Sequence, residues 1–367
     1  MSTVTVGIIG AGIIGRSHMD RYKKIGGVNM AVVCDINAEA AKKAAADFGI
    51  PKVETDFRKV LAMKELQAVD VCLHNNLHAP VSIAAMKAGK HVYCEKPLAG
   101  SYVDARAMVE ASKRTGRHLA MQLGTIFSDG TLAAKRLIDD GALGHIYYAK
   151  SYGFRRRGRP YVDGYATPAF VQKSVAAGGA LYDMGVYHIG QMLYLLGNPR
   201  VLTVSGATHQ ELDMYEHRRK ASKYDVEEMA VGFVRLEGGI SFVIEESWAI
   251  NFGGTESSKI AGSKGGITLD PFTFHSTVSD MEMNAAVEVG AARGRWKRVW
   301  PEQWDPFDGN QQHWIAVVQG KAKPLPSAEV GANMMFIAEG LFMSKRLGRE
   351  VTAAEILKNS KSTALKL

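Results

Sequence analysis

Residues Val4–Gly15 read VTVGIIGAGIIG, an apolar run followed at once by closely spaced glycines. The apolar part is typical of a buried strand, and Gly10, Gly12 and Gly15 form a G-x-G-x-x-G pattern at the start of a predicted helix. The first glycine permits a tight turn, the second leaves room for a pyrophosphate, and the third lets the helix approach the sheet. Because the free amides of a helix N-terminus attract anions, the stretch predicts a dinucleotide-binding unit.

A second predicted strand, Met30–Cys34, ends at Asp35, which stands 25 residues after Gly10. A carboxylate at this place accepts hydrogen bonds from the ribose hydroxyls and repels a 2′-phosphate, so the pattern favours NAD over NADP. Ile13 and Ile14, inside the glycine pattern, complete the contacts with the cofactor that we expect from this loop.

The alternation of helices and strands continues to Leu123, which predicts a doubly wound parallel sheet, the Rossmann fold, over residues 1–124. After Leu123 a helix at Asp129–Asp140 and a strand at His145–Phe154 are followed by further strands without regular helices, typical of an antiparallel sheet with one open face. We expect a second domain over residues 125–367, whose last residues pack back on the first. The helices and strands expected between Cys34 and Leu123 are Ala38–Phe48, Phe57–Met63, Ala68–Leu73, Ala79–Ala88, His91–Cys94, Ser101–Thr115 and Arg117–Leu123.

The strand His91–Cys94 ends in Glu95-Lys96-Pro97, a charged pair before a proline. The carboxyl ends of parallel strands face the ligand crevice, so Lys96 is the first candidate for a catalytic residue; the alternative is a surface lysine. Other side chains at these strand ends are expected to contact the cofactor, namely Asn75, His78, Glu95, Lys96 and Gln122. His74 and His78 have HxxxH spacing but no third ligand, so no metal site is predicted.

The composition excludes several classes of protein. The net charge is 45 − 37 = +8, without a basic face that carries a nucleic-acid recognition motif. There is no signal-peptide pattern and no apolar run long enough to span a bilayer. Three cysteines without metal-ligand spacing favour a reducing, cytoplasmic setting.

Several segments together resemble the glucose–fructose oxidoreductase/inositol dehydrogenase/MocA family: GIIGAGIIG, Asp35, NNLHAP, AGKHVYCEKPLAG, GALGHI, AAGGALYDMGVYHIGQMLYLLGNP and LGREV. The resemblance implies a Rossmann domain followed by an α/β domain with a large, mostly antiparallel open sheet. One face of that sheet usually forms the oligomer contact, so a homo-oligomer, a dimer or a tetramer, is expected. It also implies nicotinamide-dependent oxidation or reduction of a carbinol carbon, commonly on a sugar or polyol.

The resemblance implies catalytic residues on the predicted helix Gly179–Leu196. Asp183 and Tyr187 are four residues apart and share a helix face. Family members usually place an aspartate and, four residues later, a histidine beside the lysine that corresponds to Lys96; here that position is Tyr187, and His188 follows it. We predict Tyr187 as the acid/base, with its pKa lowered by Lys96 and with Asp183 in support. His188 remains the alternative.

Substrate contacts are expected from aromatic and cationic side chains on and after the first strand of the second domain, where they can hold a sugar ring or an anionic group. An exposed loop with aromatic residues packed beneath it is the alternative. The residues are Tyr152, Phe154, Arg155, Arg156, Tyr161 and Tyr165, together with Asp183, Lys173 and His313. The tryptophans Trp296, Trp300 and Trp304 are further candidates to reach a site.

Three functions are compatible with these residues. The first is an NAD-dependent dehydrogenase that acts on a hydroxyl of a sugar, polyol or glycoside. The second is a glycosidase that uses retained NAD in an oxidation–elimination–reduction cycle. The third is an NAD sensor without catalysis, which would not need an acid/base residue beside the nicotinamide.

Overall fold

The structure is a computed structural model that describes residues 3–253, 256–299 and 309–367. Trp300 and Trp304, two of the predicted site residues, lie outside the described residues. Trp296 lies on a helix and stacks on the guanidinium of Arg136, 4.4 Å from the ring centroid.

The first sheet confirms the predicted doubly wound fold. Its six strands are all parallel and are ordered β3-β2-β1-β4-β5-β6. The strands are β1 (Val4–Ile9), β2 (Val28–Cys34), β3 (Lys52–Glu54), β4 (Ala68–Val71), β5 (His91–Cys94) and β6 (Leu119–Met121). The helices between them are α1 (Ile13–Tyr22), α2 (Ala38–Phe48), α3 (Phe57–Ala62), α4 (Asn75–Lys87) and α5 (Tyr102–Thr115).

Local signals in the sequence set the ends of two of these helices. The Asn37 side chain accepts hydrogen bonds from two backbone amides at the start of α2, and Gly49 ends that helix in the left-handed conformation. Ser101 and Gly116 have the same roles in α5. Helix α4 begins at Asn75, four residues before the expected start. The side chains of Asn75 and Asn76 hydrogen-bond to backbone carbonyls of a short helix some 100 residues away, which local sequence does not reveal.

The second sheet has nine strands in the order β14-β13-β12-β11-β7-β10-β9-β8-β15. Neighbours are antiparallel except β7 and β10, which are parallel, so the mostly antiparallel sheet is confirmed. The strands are β7 (Ile146–Phe154), β8 (Val201–His209), β9 (Met229–Leu236), β10 (Ile240–Ser247), β11 (Lys259–Gly262), β12 (Gly266–Leu269), β13 (Phe272–Val278), β14 (Met281–Ala286) and β15 (Val351–Thr352).

One face of the central strands is covered by helices. Gly206 and Gly232, on β8 and β9, make room for Leu341 of the long helix α12. The described helices of this part are α6 (Asp129–Asp139), α7 (Lys173–Ala176), α8 (Val186–Leu195), α9 (Glu216–Ser222), α10 (Val289–Val299), α11 (Asn310–Val318), α12 (Ser327–Leu347) and α13 (Ala353–Asn359). Short 3₁₀ turns span Gly124–Phe127, Pro168–Val171 and Glu237–Gly239.

The helix expected at Gly179–Leu196 has two parts. Leu181–Gly185 is a turn of π-helix, and α8 follows it directly. Single π turns inside α-helices are rare and are frequent at functional sites. The turn contains Asp183, one of the predicted catalytic residues.

The C-terminal segment packs on the first sheet's helices. Ser362 Oγ and the backbone N–H of Thr363 donate to the buried carboxylate of Asp104, at 2.6 and 2.8 Å. The backbone N–H of Leu365 donates to the carbonyl of Asn76, at the start of α4. The division into residues 1–124 and 125–367 stays a prediction. None of the described helices has the length and apolar character to cross a membrane, and all three cysteines are free.

Candidate active site

The glycine loop has the geometry that its sequence predicts. Gly10 has φ 108°, and a Cβ there would lie 2.2 Å from the carbonyl oxygen of Cys72. A Cβ on Gly15 would lie 1.9 Å from the carbonyl oxygen of Gly10, so the helix and loop touch through this glycine. No heavy atom lies within 4 Å of the Cβ position of Gly12. The open space above Gly12 fits the approach of a pyrophosphate.

Asp35 lies at the carboxyl end of β2, beside the loop. Its two carboxylate oxygens accept the backbone N–H groups of Ala11, at 2.8 Å, and Asn37, at 2.9 Å. Each oxygen keeps a lone pair for a ribose hydroxyl. Ile13, in the glycine motif, is 72% exposed, and Ile36, which follows Asp35, is 95% exposed. Exposed isoleucines at a glycine loop are suited to apolar contact with a bound nucleotide. Ile36 was not among the residues predicted from the sequence.

Among the cofactor contacts predicted at the other strand ends, Gln122 has a polar atom without a partner in the described part of the chain, whereas Asn75, His78 and Glu95 have partners inside the protein. Gln122 is buried and its Oε1 has no hydrogen-bond partner among the described residues, so it is free to pair with an amide of a bound cofactor. Asn75 Nδ2 donates to the carbonyl of Ala176, 2.8 Å away. His78 and Glu95 lie inside the protein instead of facing the crevice. The two ring nitrogens of His78 lie 2.8 and 3.0 Å from the backbone carbonyl oxygens of Pro97 and Leu73, and Glu95 is hydrogen-bonded to a buried histidine.

The structure brings Lys96, Asp183 and Tyr187 together. Lys96 Nζ donates to Asp183 Oδ1 at 2.7 Å and to the backbone carbonyl of Asp183 at 3.0 Å. The same ammonium lies 4.9 Å from the centroid of the Tyr187 ring. Trp248 is fully buried and its Nε1 donates to Asp183 Oδ2 at 3.0 Å. Both oxygens of Asp183 are therefore held, while the phenol oxygen of Tyr187 forms no hydrogen bond with the described residues.

Burial and charge shift the pKa values of these three groups. Burial lowers the pKa of Lys96, but the charge of Asp183, together with its hydrogen bond and the charge of Glu95, outweighs burial, so the pKa is raised and the ammonium is retained. Burial raises the pKa of Asp183, and Lys96 outweighs it in turn, so the carboxylate is ionised. The pKa of Tyr187 is raised, because burial exceeds the lowering by Lys96. The expectation that Lys96 gives Tyr187 a low pKa is therefore wrong for the free protein.

His188 belongs to a separate pair. Its Nδ1 lies 2.9 Å from Glu246 Oε2, and Glu246 Oε1 accepts from Ser151 Oγ at 2.5 Å. Burial lowers the pKa of His188, but the charge of Glu246 more than compensates, so the pKa is raised. A Cβ on Gly153 would lie 2.3 Å from the His188 ring. The glycine on β7 thus makes room for this imidazole.

Of the predicted substrate contacts, Arg155 lies near the cluster. Arg155 NH1 donates to the Tyr165 hydroxyl at 2.8 Å. Burial raises the pKa of Tyr165 to about 12, with a contribution from the charge of Asp183, so the pair stands close to that carboxylate. Arg156 is exposed on the same loop.

The structure places the remaining predicted contacts elsewhere. Tyr161 stacks on Arg218, 4.2 Å from the ring centroid. Lys173 is exposed and its ammonium lies over the ring of Phe342. His313 is buried and its ring packs against that of Phe127. Strand alternation puts Tyr152 and Phe154 on the face of β7 opposite Gly153, and hence away from His188.

The arrangement supplies a proton donor or acceptor, a fixed cation and a carboxylate in one crevice. It lies at the carboxyl end of β5, where the Rossmann fold binds its ligands. Tyr187 can give a proton to, or take one from, a substrate oxygen, and Lys96 can stabilise negative charge on that oxygen.

Comparison with known proteins agrees with this architecture. Residues 4–123 match the model described as "oxidoreductase family, NAD-binding Rossmann fold", and residues 131–268 match the GFO/IDH/MocA C-terminal domain. D-glucoside 3-dehydrogenase of Escherichia coli is 27% identical over 358 residues, 95% of this chain and 97% of that protein. Inositol 2-dehydrogenase of Salmonella paratyphi B is 27% identical over 267 residues, 72% of this chain and 73% of that protein.

A solved structure of levoglucosan dehydrogenase in complex with NADH and levoglucosan has a TM-score of 0.78. It is 22% identical and covers 96% of this chain and 100% of that one, so it shows the fold alone. The two family models together match residues 4–123 and 131–268, more than half of the chain. The chain therefore belongs to the glucose–fructose oxidoreductase/inositol dehydrogenase/MocA oxidoreductase family.

Proposed function

We propose that the protein is an NAD-dependent dehydrogenase that oxidises a hydroxyl-bearing carbon of a sugar, polyol or glycoside. The observation that carries the proposal is the cluster of Lys96, Asp183 and Tyr187 beside a glycine loop with room for a pyrophosphate. A bound nicotinamide supplies the hydride acceptor for such a reaction. Its relatives named D-glucoside 3-dehydrogenase and inositol 2-dehydrogenase support the substrate class.

Tyr187 is the acid/base in this proposal. Its phenol oxygen forms no hydrogen bond within the described part of the chain and is available to a substrate hydroxyl, whereas Nδ1 of His188 is bonded to Glu246. The charge of Glu246 raises the pKa of His188, so its imidazole holds a proton more tightly than a free histidine does. Removing a proton from Tyr187 leaves a phenolate, which the nearby ammonium of Lys96 stabilises.

Lys96 and Asp183 position this chemistry. The ammonium is fixed by the side-chain and main-chain oxygens of Asp183, so Lys96 cannot swing out of the crevice. Trp248 holds the second carboxylate oxygen. Charge stabilisation by a cation that is already in place costs no reorganisation when the substrate reacts.

We propose NAD instead of NADP as the cofactor. A 2′-phosphate beside the carboxylate of Asp35 would be repelled, while ribose hydroxyls can donate to it. Gly12, Ile13, Ile14 and Gln122 are the further residues that we assign to the cofactor, on the basis of their exposure or their free polar atoms.

For the substrate we retain Arg155 and propose Tyr165 as its neighbour at the site. For assembly we propose a homo-oligomer that uses the uncovered face of the nine-stranded sheet. Val231, Phe233 and Val243 are apolar and only half-buried on that face, opposite the side covered by α12. Half-buried apolar side chains on an open sheet face are typical of a contact between subunits.

The test is to follow nicotinamide absorbance after mixing the protein, NAD⁺ and a panel of free sugars, polyols, cyclic diols and aryl glycosides. Sustained formation of reduced cofactor with one class supports the dehydrogenase and gives its substrate. Release of the aglycone without net reduction would instead support a glycosidase with retained NAD. Tight NAD binding without turnover across the panel would support a sensor.

A further inference from the structure

A histidine is buried between two carboxylates beneath the site. His18, on α1, is 1% exposed, and Asp70 and Glu95, on the first sheet, are 0% and 6% exposed. His18 Nδ1 lies 2.8 Å from Asp70 Oδ2, and Nε2 lies 2.9 Å from Glu95 Oε1. Neither the glycine motif nor the predicted chemistry of the strand ends accounts for this triad.

The triad holds an imidazolium. Carboxylates accept hydrogen bonds, so a ring bonded to two of them through both nitrogens carries a proton on each. Burial lowers the pKa of His18, but the charge of Asp70 raises it well above its ordinary range. Burial raises the pKa of Glu95, but the hydrogen bond and charge of His18, together with Lys96, outweigh burial, so the pKa is lowered. Two buried carboxylates without such a cation would be costly.

Direct hydrogen bonds connect the members of the cluster. Cys72, the third potential ligand, has its Sγ 3.4 Å from His18 Nδ1 and 3.2 Å from Asp70 Oδ1. The histidine and aspartate atoms that would have to bind a cation lie at direct hydrogen-bond distance from one another.

Glu95 connects the triad to the active site. Its second oxygen, Oε2, accepts the backbone N–H of Lys96 at 2.9 Å. Buried groups of alternating charge therefore follow one another from Asp70 through His18, Glu95 and Lys96 to Asp183. These contacts join residues that are far apart in sequence. His18 and Glu95, for example, are 77 positions apart.

We propose that His18 is a positioning residue, which keeps Glu95 ionised and oriented so that Lys96 stays in place for catalysis. His18 itself does not touch the reacting atoms and acts through Glu95. The inference rests on the proposed dehydrogenase function for its kinetic consequence. Its electrostatic part, a permanently charged His18, does not depend on that function.

The groups that face His18 come from several elements. Asp70 and Cys72 lie on β4 and just after it, and Glu95 follows β5. The Tyr93 ring, on β5, has its centroid 5.7 Å from that of His18. The remaining neighbours are Tyr22 of α1, which interacts with Asp70, and Gln311 of α11, which donates to the backbone carbonyl of His18.

The variant that separates a positioning role from a structural one is Asp70→Asn. It keeps the shape of the side chain and removes the charge that raises the pKa of His18. Asp70 contacts the nitrogen of His18 that faces away from Glu95 and Lys96. Rising pH should then discharge His18 and leave the charge of Glu95 unbalanced. We expect the ratio of variant to wild-type kcat to fall at least tenfold between pH 6 and pH 10. Asp20→Asn, at an exposed carboxylate on the same helix, is the matched control and should give a constant ratio.

A constant ratio for Asp70→Asn at any level of activity, even with a lowered Tm, would overturn the proposal. The second measurement is a ¹⁵N NMR titration of the imidazole nitrogens in the full-length protein, with His18 assigned by His18→Gln. We expect both nitrogens to stay protonated from pH 6 to pH 9 in the wild type; a neutral ring would overturn the proposal. If no substrate is turned over, the dehydrogenase function fails, while this titration still decides the charge of His18.

Discussion

Glu227 accepts hydrogen bonds from the backbone at the start of the helical segment that carries Asp183 and Tyr187. Replacing its carboxylate with a neutral group should stabilise the protein. Its Oε1 accepts the backbone N–H groups of Gly179, at 2.8 Å, and Leu181, at 3.1 Å. The side chain is buried, and burial raises the pKa of Glu227 from 4.5 to about 7. In Glu227→Gln the amide oxygen can accept both hydrogen bonds, but the group no longer ionises.

The pH dependence of the stability follows from the difference in proton binding between the folded protein and the unfolded chain. The folded protein keeps the proton up to about pH 7, whereas the unfolded chain loses it near 4.5, so stability falls as pH rises through this window. A shift of this size corresponds to about 3 kcal/mol at about 1.4 kcal/mol per pKa unit. For a chain of 367 residues this corresponds to a Tm difference of about 4 °C.

We therefore expect Glu227→Gln to melt about 4 °C above the wild type at pH 8 and at nearly the same temperature at pH 4.5. The assay is thermal unfolding at pH 4.5, 6, 7 and 8, followed by circular dichroism. Glu237→Gln, at an exposed carboxylate paired with Arg200, is the control and should show no such pH-dependent gain. A variant that is less stable at pH 8, or a difference that does not change with pH, would refute the reasoning.

Three further outcomes are expected. Lys96→Met should lower kcat by about 100-fold or more, because the lysine stabilises charge on the substrate oxygen. The Kd for NAD, measured by fluorescence titration, should change less than about threefold. An unchanged kcat would exclude this role. Asp35→Ala should weaken NAD binding more than NADP binding, and an unaltered preference would remove Asp35 from the ribose site. Gly153→Ala should destabilise by about 1–3 kcal/mol in thermal or urea unfolding, since its Cβ overlaps the His188 ring, whereas Gly290→Ala, at a position with no neighbours, should not.

The sequence predicted those features that depend on short-range geometry. Gly10 and Gly15 are needed by a tight turn and by the close contact of helix and loop within one motif, so spacing alone predicted these two positions. Asp35 follows for the same reason, because the carboxyl end of β2 lies beside that loop in any such fold. The change from parallel to mostly antiparallel strands after Leu123 was also readable, since it depends on whether regular helices separate the strands.

Contacts between distant segments could not be predicted. Trp248 and Glu246 approach Asp183 and His188 across about 60 residues, and nothing in their own neighbourhoods indicates these partners. The strand-end pattern predicted His78 as a cofactor contact, but its ring lies against backbone carbonyls inside the protein, because a residue at the start of a helix can turn either inward or toward the crevice.

The assignment of Tyr187 and His188 required the fold. The sequence places both on one helix about 100° apart and left either as the acid/base. The structure places the ammonium of Lys96 against Tyr187 and the carboxylate of Glu246 against His188. Which of the two transfers the proton stays a prediction.

The most direct test of the account is the turnover of Tyr187→Phe beside that of His188→Gln, on a substrate that the wild type oxidises. Acid/base groups contribute about 10²–10⁴-fold. We expect Tyr187→Phe to lose at least about 100-fold in kcat with NAD affinity retained. We expect His188→Gln, which can still donate to Glu246, to keep more than about a tenth of wild-type kcat. The reverse result, a Tyr187→Phe enzyme near wild type beside an inactive His188→Gln enzyme, would contradict the account and assign the proton transfer to His188.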